Sequence, residues 1–190
     1  MKFVEPIREM EKVVEVMETM LKDGKERLAL LFWTGVYTGL RISDILSLTF
    51  EDFRKDVIYI TEQKTGKEKK IVWNKDVKEL FNQIDDRGKT GLIFKSNSNR
   101  VKAKNQAWST VYTGKEIKFY CEAVGLKGRY NNHSLRKTYA YTQYKISNYD
   151  IYLVQRLLNH SKVETTYRYL GVYKEEAEKA NDTISYFKTA

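Results

Sequence analysis

Apolar positions recur along the chain at two different periods. Over residues 5–22, Ile7, Met10, Val13, Val14, Met17 and Leu21 return at three- and four-residue steps, which predicts an amphipathic helix ended by Asp23-Gly24. A more strongly apolar helix, with Leu28, Leu31, Phe32 and Val36, is predicted over 25–37 and stops at Thr38-Gly39. A third runs through Ile42, Ile45, Leu46 and Leu48. The period then shortens. Val57-Ile58-Tyr59-Ile60-Thr61 and Lys70-Ile71-Val72-Trp73 are β-branched and aromatic, with Thr65-Gly66-Lys67 between them, and this predicts a hairpin. A short strand near Leu48–Phe50 is expected to pair with it. Helical spacing resumes at 75–86, through Val77, Leu80, Phe81 and Ile84. Leu92-Ile93-Phe94 reads as extended and the polar stretch 96–105 as a loop. Further helices are predicted over about 105–124, 133–147, 150–158 and 161–170, with a charged tail helix over about 174–187. Pro6 is the only proline, so no helix after it is interrupted. The pattern predicts a mainly α domain with a small antiparallel β-sheet (α+β), occupying residues 1–190 without an internal repeat.

Composition narrows the partners. Lys and Arg number 34 against 25 Asp and Glu, a formal net charge of +9, and such a field attracts polyanions, of which nucleic acid is the commonest in cytoplasm. The single cysteine, Cys121, excludes an intrachain disulfide and argues against a thiolate metal site, so cytoplasmic placement is the expectation. No apolar run approaches the roughly 20 residues that span a bilayer, and the first residues show no apolar signal core.

Four short segments carry candidate chemistry. In Thr38-Gly39-Leu40-Arg41-Ile42-Ser43-Asp44, glycine stops one helix and Arg41 opens the next, three residues before Asp44, a spacing at which the carboxylate could hold the guanidinium. A surface ion pair is the bland alternative. In Gln63-Lys64-Thr65-Gly66-Lys67, a lysine at a turn can reach a phosphate, or can simply be solvated. His133-Ser134-Leu135-Arg136 puts imidazole and guanidinium side by side, and their mutual repulsion favours neutral histidine. Asn131-Asn132 before it suits a helix N-cap without any function. The fourth is Leu157-Leu158-Asn159-His160-Ser161 with Thr165-Thr166-Tyr167-Arg168-Tyr169-Leu170, in which the two tyrosines project from different sides of a helix. With 14 tyrosines in the chain, packing or a wet surface ring is the default for any one of them.

Taken in order, Arg, Lys, His-x-x-Arg, His and Tyr resemble the tyrosine recombinase, or phage-type integrase, family over about residues 25–175. The family's arginine box T-G-x-R-x-x-E/D matches residues 38–44, its hairpin lysine matches Lys64 (or Lys67), and its H-x-L-R box matches residues 133–136. Its L-G-H-S box matches Leu158-Asn159-His160-Ser161, and Tyr169 stands nine residues after that histidine, where the family has its nucleophile. Both histidines of the chain fall on family positions. Asn159 and Ser134 depart from the usual glycine and aspartate. Members usually carry a helical DNA-binding domain ahead of the catalytic one. Here about 22 residues precede the second helix, so that domain is expected to be absent or truncated.

The resemblance implies that Tyr169 attacks a DNA phosphodiester while Arg41 and Arg136 stabilise the phosphate charge. It further implies that His133 accepts the phenol proton, Lys64 protonates the departing 5′ oxygen, His160 holds the phosphate, and Asp44 buttresses the arginines. Neither metal nor ATP nor another cofactor is implied, and no small-molecule substrate. Lys67, Lys102, Lys104, Lys127 and Arg129 are candidate DNA phosphate contacts. The tail 174–190 is a candidate for docking on a second copy assembled on double-stranded DNA, in the cytoplasm and associated with the nucleoid. Competing readings are a type IB topoisomerase or telomere resolvase, a non-catalytic DNA-binding relative, and a basic RNA-binding domain.

Overall fold

The computed structural model describes residues 4–85, 88–96 and 106–171, and the predicted tail helix lies outside them. The chain divides into two compact units, Met1–Tyr139 and Ala140–Ala190. The first contains α1 (Met10–Lys22), α2 (Glu26–Thr38), α3 (Ile42–Leu46), α4 (Phe50–Arg54), β1 (Val57–Thr61), β2 (Glu68–Val72), α5 (Lys75–Ile84) and α6 (Thr110–Ala123). Helix α7 (Asn132–Ile146) crosses the boundary, and α8 (Ile151–Leu157) and α9 (Val163–Leu170) follow in the second unit. Among the described residues the structure is mostly helical with a two-stranded antiparallel sheet, in keeping with the predicted mainly α fold with a small antiparallel sheet.

The first unit is organised around α2, which is buried on nearly every side from Leu28 to Gly35 and packs on α1, α3 and α5. A helix apolar all round belongs in a core. Phe53 stacks on Trp73 and on Phe81, and Ile7, Met20, Phe94 and Ile117 complete that core. Strands β1 and β2 pair with Ile58 opposite Ile71 and Ile60 opposite Lys69. Side chains alternate across the pleat, so Lys69 shares the inner face with Ile71.

Three predictions differ by more than two residues. The first helix starts at Met10 rather than 5, because the Glu5 N–H donates to Arg129 O and the Ile7 N–H to Thr138 Oγ1, which draws off the preceding residues. No strand forms at 48–50. Thr49 and Asp52 close a reciprocal capping box that starts α4 at Phe50, and Thr49 keeps a single bridge to Leu92, not to the hairpin. Helix α6 starts at Thr110 rather than 105, because Ala107 bridges Lys95, the Trp108 N–H donates to Phe94 O, and Ser109 then caps.

Candidate active site

The turn that ends α2 is built by close approach. Gly39 caps the helix in the left-handed conformation, φ +62°. A Cβ there would lie 2.2 Å from Cδ1 of Tyr139, so both the backbone and the space exclude a side chain. Thr38 Oγ1 donates to Thr34 O and accepts the Leu40 N–H. The freed carbonyls face cations: Arg136, only 2% exposed, donates to Gly39 O, and Lys69 Nζ donates to Thr38 O at 2.8 Å.

Arg41 occupies the N-cap of α3 with extended backbone, φ −73° and ψ 150°. The expected ion pair between Arg41 and Asp44 is not formed. Arg41 Nη1 instead lies 2.7 Å from Oε1 of Glu62, and Arg136 Nη1 lies 3.6 Å from the same oxygen. Glu62 has no solvent exposure. Burial raises its carboxyl pKa, but the Thr65 hydroxyl, Arg41 and Arg136 outweigh burial and hold it below the ordinary value. Asp44 Oδ1 accepts the Gln63 N–H at 3.0 Å, so Asp44 buttresses the hairpin turn rather than the guanidinium.

That turn presents Lys64. Glu62 O accepts the N–H groups of Thr65 and Gly66, and the Lys67 carbonyl accepts the Glu62 N–H. Lys64 and Lys67 are both exposed. Only Lys64 is among the main influences on His133, half-buried at the start of α7. Burial, then Arg136, Lys137, Lys64 and Arg41, lower the His133 pKa to about 4, which keeps the imidazole neutral near pH 7. Asn131 caps α7: its Oδ1 accepts the His133 N–H, and Ser134 Oγ accepts the Asn131 N–H in return. Ser134 thus serves as a buried capping partner.

In the second unit, α8 ends at Leu157, Leu158 is its C-cap, and Asn159 turns the chain with φ +55°. Asparagine tolerates this conformation better than most residues that carry a side chain. His160 is held by its N–H on Gln155 O, by the Gln155 amide on its carbonyl, and by Nδ1 at 3.0 Å from Oγ1 of the buried Thr166. Tyr169 meets the His160 ring edge to face, centroids 5.4 Å apart. Tyr167 and Tyr169 are each partly buried.

Among the other candidates, Lys127 and Arg129 are exposed, and Lys102 and Lys104 lie outside the described residues. The sequence motifs mark neither Glu62 nor Lys69, and Thr166 only as part of the fourth segment. Lys69 is mostly buried over the Tyr139 ring, at 5.6 Å, and burial followed by the repulsion of Arg136 lowers its pKa to about 8. The strand period could have placed Lys69 inward. Nothing local marks Glu62 as buried. Among the described residues no three His, Cys, Asp or Glu gather as metal ligands would, and no helix is long and apolar enough to cross a membrane.

Residues 7–176 match the model of the phage integrase family. The chain is 35% identical over 182 residues to the probable integrase/recombinase YoeC of Bacillus subtilis, covering 95% of this chain and 96% of that protein. It is 25% identical to the tyrosine recombinase XerC of Caldanaerobacter subterraneus subsp. tengcongensis, covering 92% of this chain but 48% of that one. In fold it is similar to the XerH site-specific recombinase, solved bound to palindromic difH substrate in a post-cleavage complex, with TM-score 0.71 at 23% identity, over 96% of this chain and 54% of that one.

Proposed function

The chain belongs to the phage integrase family of tyrosine recombinases, and we propose that it cuts and rejoins double-stranded DNA at specific sites through a covalent link to Tyr169. The observation that carries this reading is the meeting of Arg41 and Arg136, remote in sequence, on one carboxylate oxygen at 2.7 and 3.6 Å. Two guanidiniums fixed at one point form a place for an anion, and side-chain exposure of 18% leaves Arg41 within reach of a phosphate from solvent.

The chemistry is a transesterification. The Tyr169 oxygen forms a bond to phosphorus, and the bond from phosphorus to the 5′ oxygen breaks. His133 takes the phenol proton, and the Lys64 ammonium gives one to the departing oxygen. Arg41 and Arg136 meet the charge that builds on the non-bridging oxygens. With Nδ1 of His160 engaged by Thr166, Nε2 is the nitrogen that turns to the phosphate. One phosphoester replaces another, so a 5′ hydroxyl can reverse the step without ATP, and no metal ion or other cofactor is invoked.

The same reading makes residues 1–190 a catalytic domain, places Lys127 and Arg129 on DNA phosphates, and assigns residues 174–190 to contact between copies on DNA, within the nucleoid. The test is a duplex nicked near the scissile phosphate, so that the short leaving strand diffuses away and the adduct accumulates. The unmodified protein gives a protein–DNA band on denaturing electrophoresis, and Tyr169→Phe binds the duplex without giving the band. An adduct persisting in Tyr169→Phe refutes the assignment of the nucleophile.

A further inference from the structure

Glu62 is a buried acid in a site whose reaction calls for cations, and none of the steps above uses it. Its two carboxylate oxygens do different things. Oε1 faces Arg41 and Arg136, at 2.7 and 3.6 Å. Oε2 accepts the hydroxyl of Thr65, at 2.8 Å. Its own backbone carbonyl accepts both N–H groups of the tight turn, Thr65 and Gly66, and Gly66 turns with φ +65°. One residue therefore joins the anchored arginines to the exposed turn that carries Lys64. The second strap, Asp44 Oδ1 on the Gln63 N–H, fixes the other side of the same lysine.

An exposed lysine on a four-carbon stem is a poor proton donor unless its backbone is placed, because each freely rotating bond dilutes the productive geometry. The arginines mark where the phosphate sits, so a rigid link from them to the turn sets the distance from phosphate to ammonium. A buried carboxylate is costly to keep without partners, and here it is retained with cations on one side and a turn hydroxyl on the other.

We propose that Glu62 is a positioning residue that ties the Lys64 turn to Arg41 and Arg136, so that the ammonium is delivered to the departing 5′ oxygen of the phosphate those arginines hold. This rests on the reading of Lys64 as general acid, and the experiment separates the two. The full chain is assayed in single turnover on nicked duplexes whose scissile phosphate carries either the natural 5′ oxygen or a bridging 5′ sulfur. A thiol, with a pKa of about 8.5, leaves as thiolate and needs no proton.

Lys64→Ala and Glu62→Gln are both expected to lose at least about tenfold on the oxygen substrate, against about 10²–10⁴-fold for a full general-acid effect, and to return to within about threefold of the unmodified protein on the sulfur substrate. A Glu62→Gln defect that persists on sulfur, with Lys64→Ala rescued, overturns the proposal and leaves the role of Lys64 standing. A Lys64→Ala variant that sulfur does not rescue overturns the general-acid reading and this proposal with it. If thermal melting shows that Glu62→Gln does not fold, Thr65→Val takes its place, since it cuts the link at an exposed residue and leaves the buried ion pairs intact. It is expected to show the same loss and the same rescue, and unmodified rates on both substrates overturn the proposal.

Discussion

Replacing Gly39 by alanine tests the architecture of the arginine turn at one atom. Two costs are separable. The first is the left-handed backbone, φ +62°, which costs a residue with a Cβ about 1–2 kcal/mol. The second is the collision with the buried Tyr139 ring: the new Cβ would sit 2.2, 2.7 and 2.9 Å from three ring carbons. Carbons rest about 3.5–4 Å apart, so the ring or the turn must move, and overpacking of this kind costs about 1–3 kcal/mol more. Gly24 is the internal control. It has nearly the same backbone, φ +66°, with nothing within 4 Å of its Cβ, so Gly24→Ala carries the first cost alone. Urea unfolding is expected to show Gly39→Ala the less stable by about 1–3 kcal/mol. A Tyr139→Ala background should remove that difference, because the cycle deletes the collision and keeps the backbone cost. Because Gly39 O accepts from Arg136, Gly39→Ala should also lose strand cleavage at temperatures where it is still folded, while Gly24→Ala keeps it. Equal stabilities for the two alanine variants, within about 0.5 kcal/mol, would refute the reasoning.

Asn159→Gly should leave the melting temperature unchanged or slightly raised, and Asn159→Ala should lower it by an amount equivalent to about 1 kcal/mol, since φ is +55° there; an alanine variant as stable as the glycine one contradicts the left-handed turn. Thr166→Val should reduce cleavage by about two- to tenfold, the roughly 0.5–1.5 kcal/mol of one hydrogen bond, with DNA affinity unchanged, because the His160 Nδ1 contact with Thr166 is lost; an unchanged cleavage rate removes Thr166 from the site. His133 should titrate near pH 4 by NMR in the free protein and move up toward its ordinary 6.5 when duplex DNA brings a phosphate among its cationic neighbours, and a value unmoved by DNA contradicts its place beside that phosphate. The sign for stability follows from the same shift. The unfolded chain takes this proton below about 6.5 and the folded one only below about 4, so the His133 contribution is intact above 6.5 and is lost as pH falls toward 4.

What could be read from the sequence was local. Thr38-Gly39-Leu40-Arg41 and His133-Ser134-Leu135-Arg136 carry their meaning in turn and cap chemistry, and the helices that hold them were legible from apolar spacing. The early starts of α1 and α6 failed because hydrogen bonds from distant residues competed there, such as Glu5 N–H to Arg129 O and Trp108 N–H to Phe94 O, and the strand at 48–50 gave way to the Thr49–Asp52 capping box. The partner of Arg41 failed for a related reason. Helical spacing offered Asp44, but Asp44 accepts the Gln63 N–H, and the hairpin supplied Glu62 across the fold. Ion pairs between segments have no period to betray them. Lys69 was within reach: opposite Ile60 and two residues from Ile71, it falls on the inward face of β2.

The charges explain why such a site keeps its carboxylates. Arg41, Arg136 and Lys69 bring three positive charges together, and Glu62 and Asp44 bring two negative ones; each of these other four groups acts on the Lys69 ammonium. The two carboxylates offset the mutual repulsion of the three cations, and the cluster keeps an excess of about one positive charge near neutral pH, which suits a phosphodiester. Lys64, close enough to depress the His133 pKa but exposed on its turn, adds a second. The bound phosphate gains negative charge as a nucleophile attacks, so that second cation counts most in the transition state rather than in binding. The arrangement therefore predicts a division of labour: substitutions at Arg41 or Arg136 weaken both binding and cleavage, whereas substitutions at Lys64 or Glu62 fall on the rate. Parallel measurement of duplex affinity and single-turnover cleavage distinguishes these outcomes. A Lys64→Ala variant whose loss lies wholly in affinity would contradict the charge balance itself.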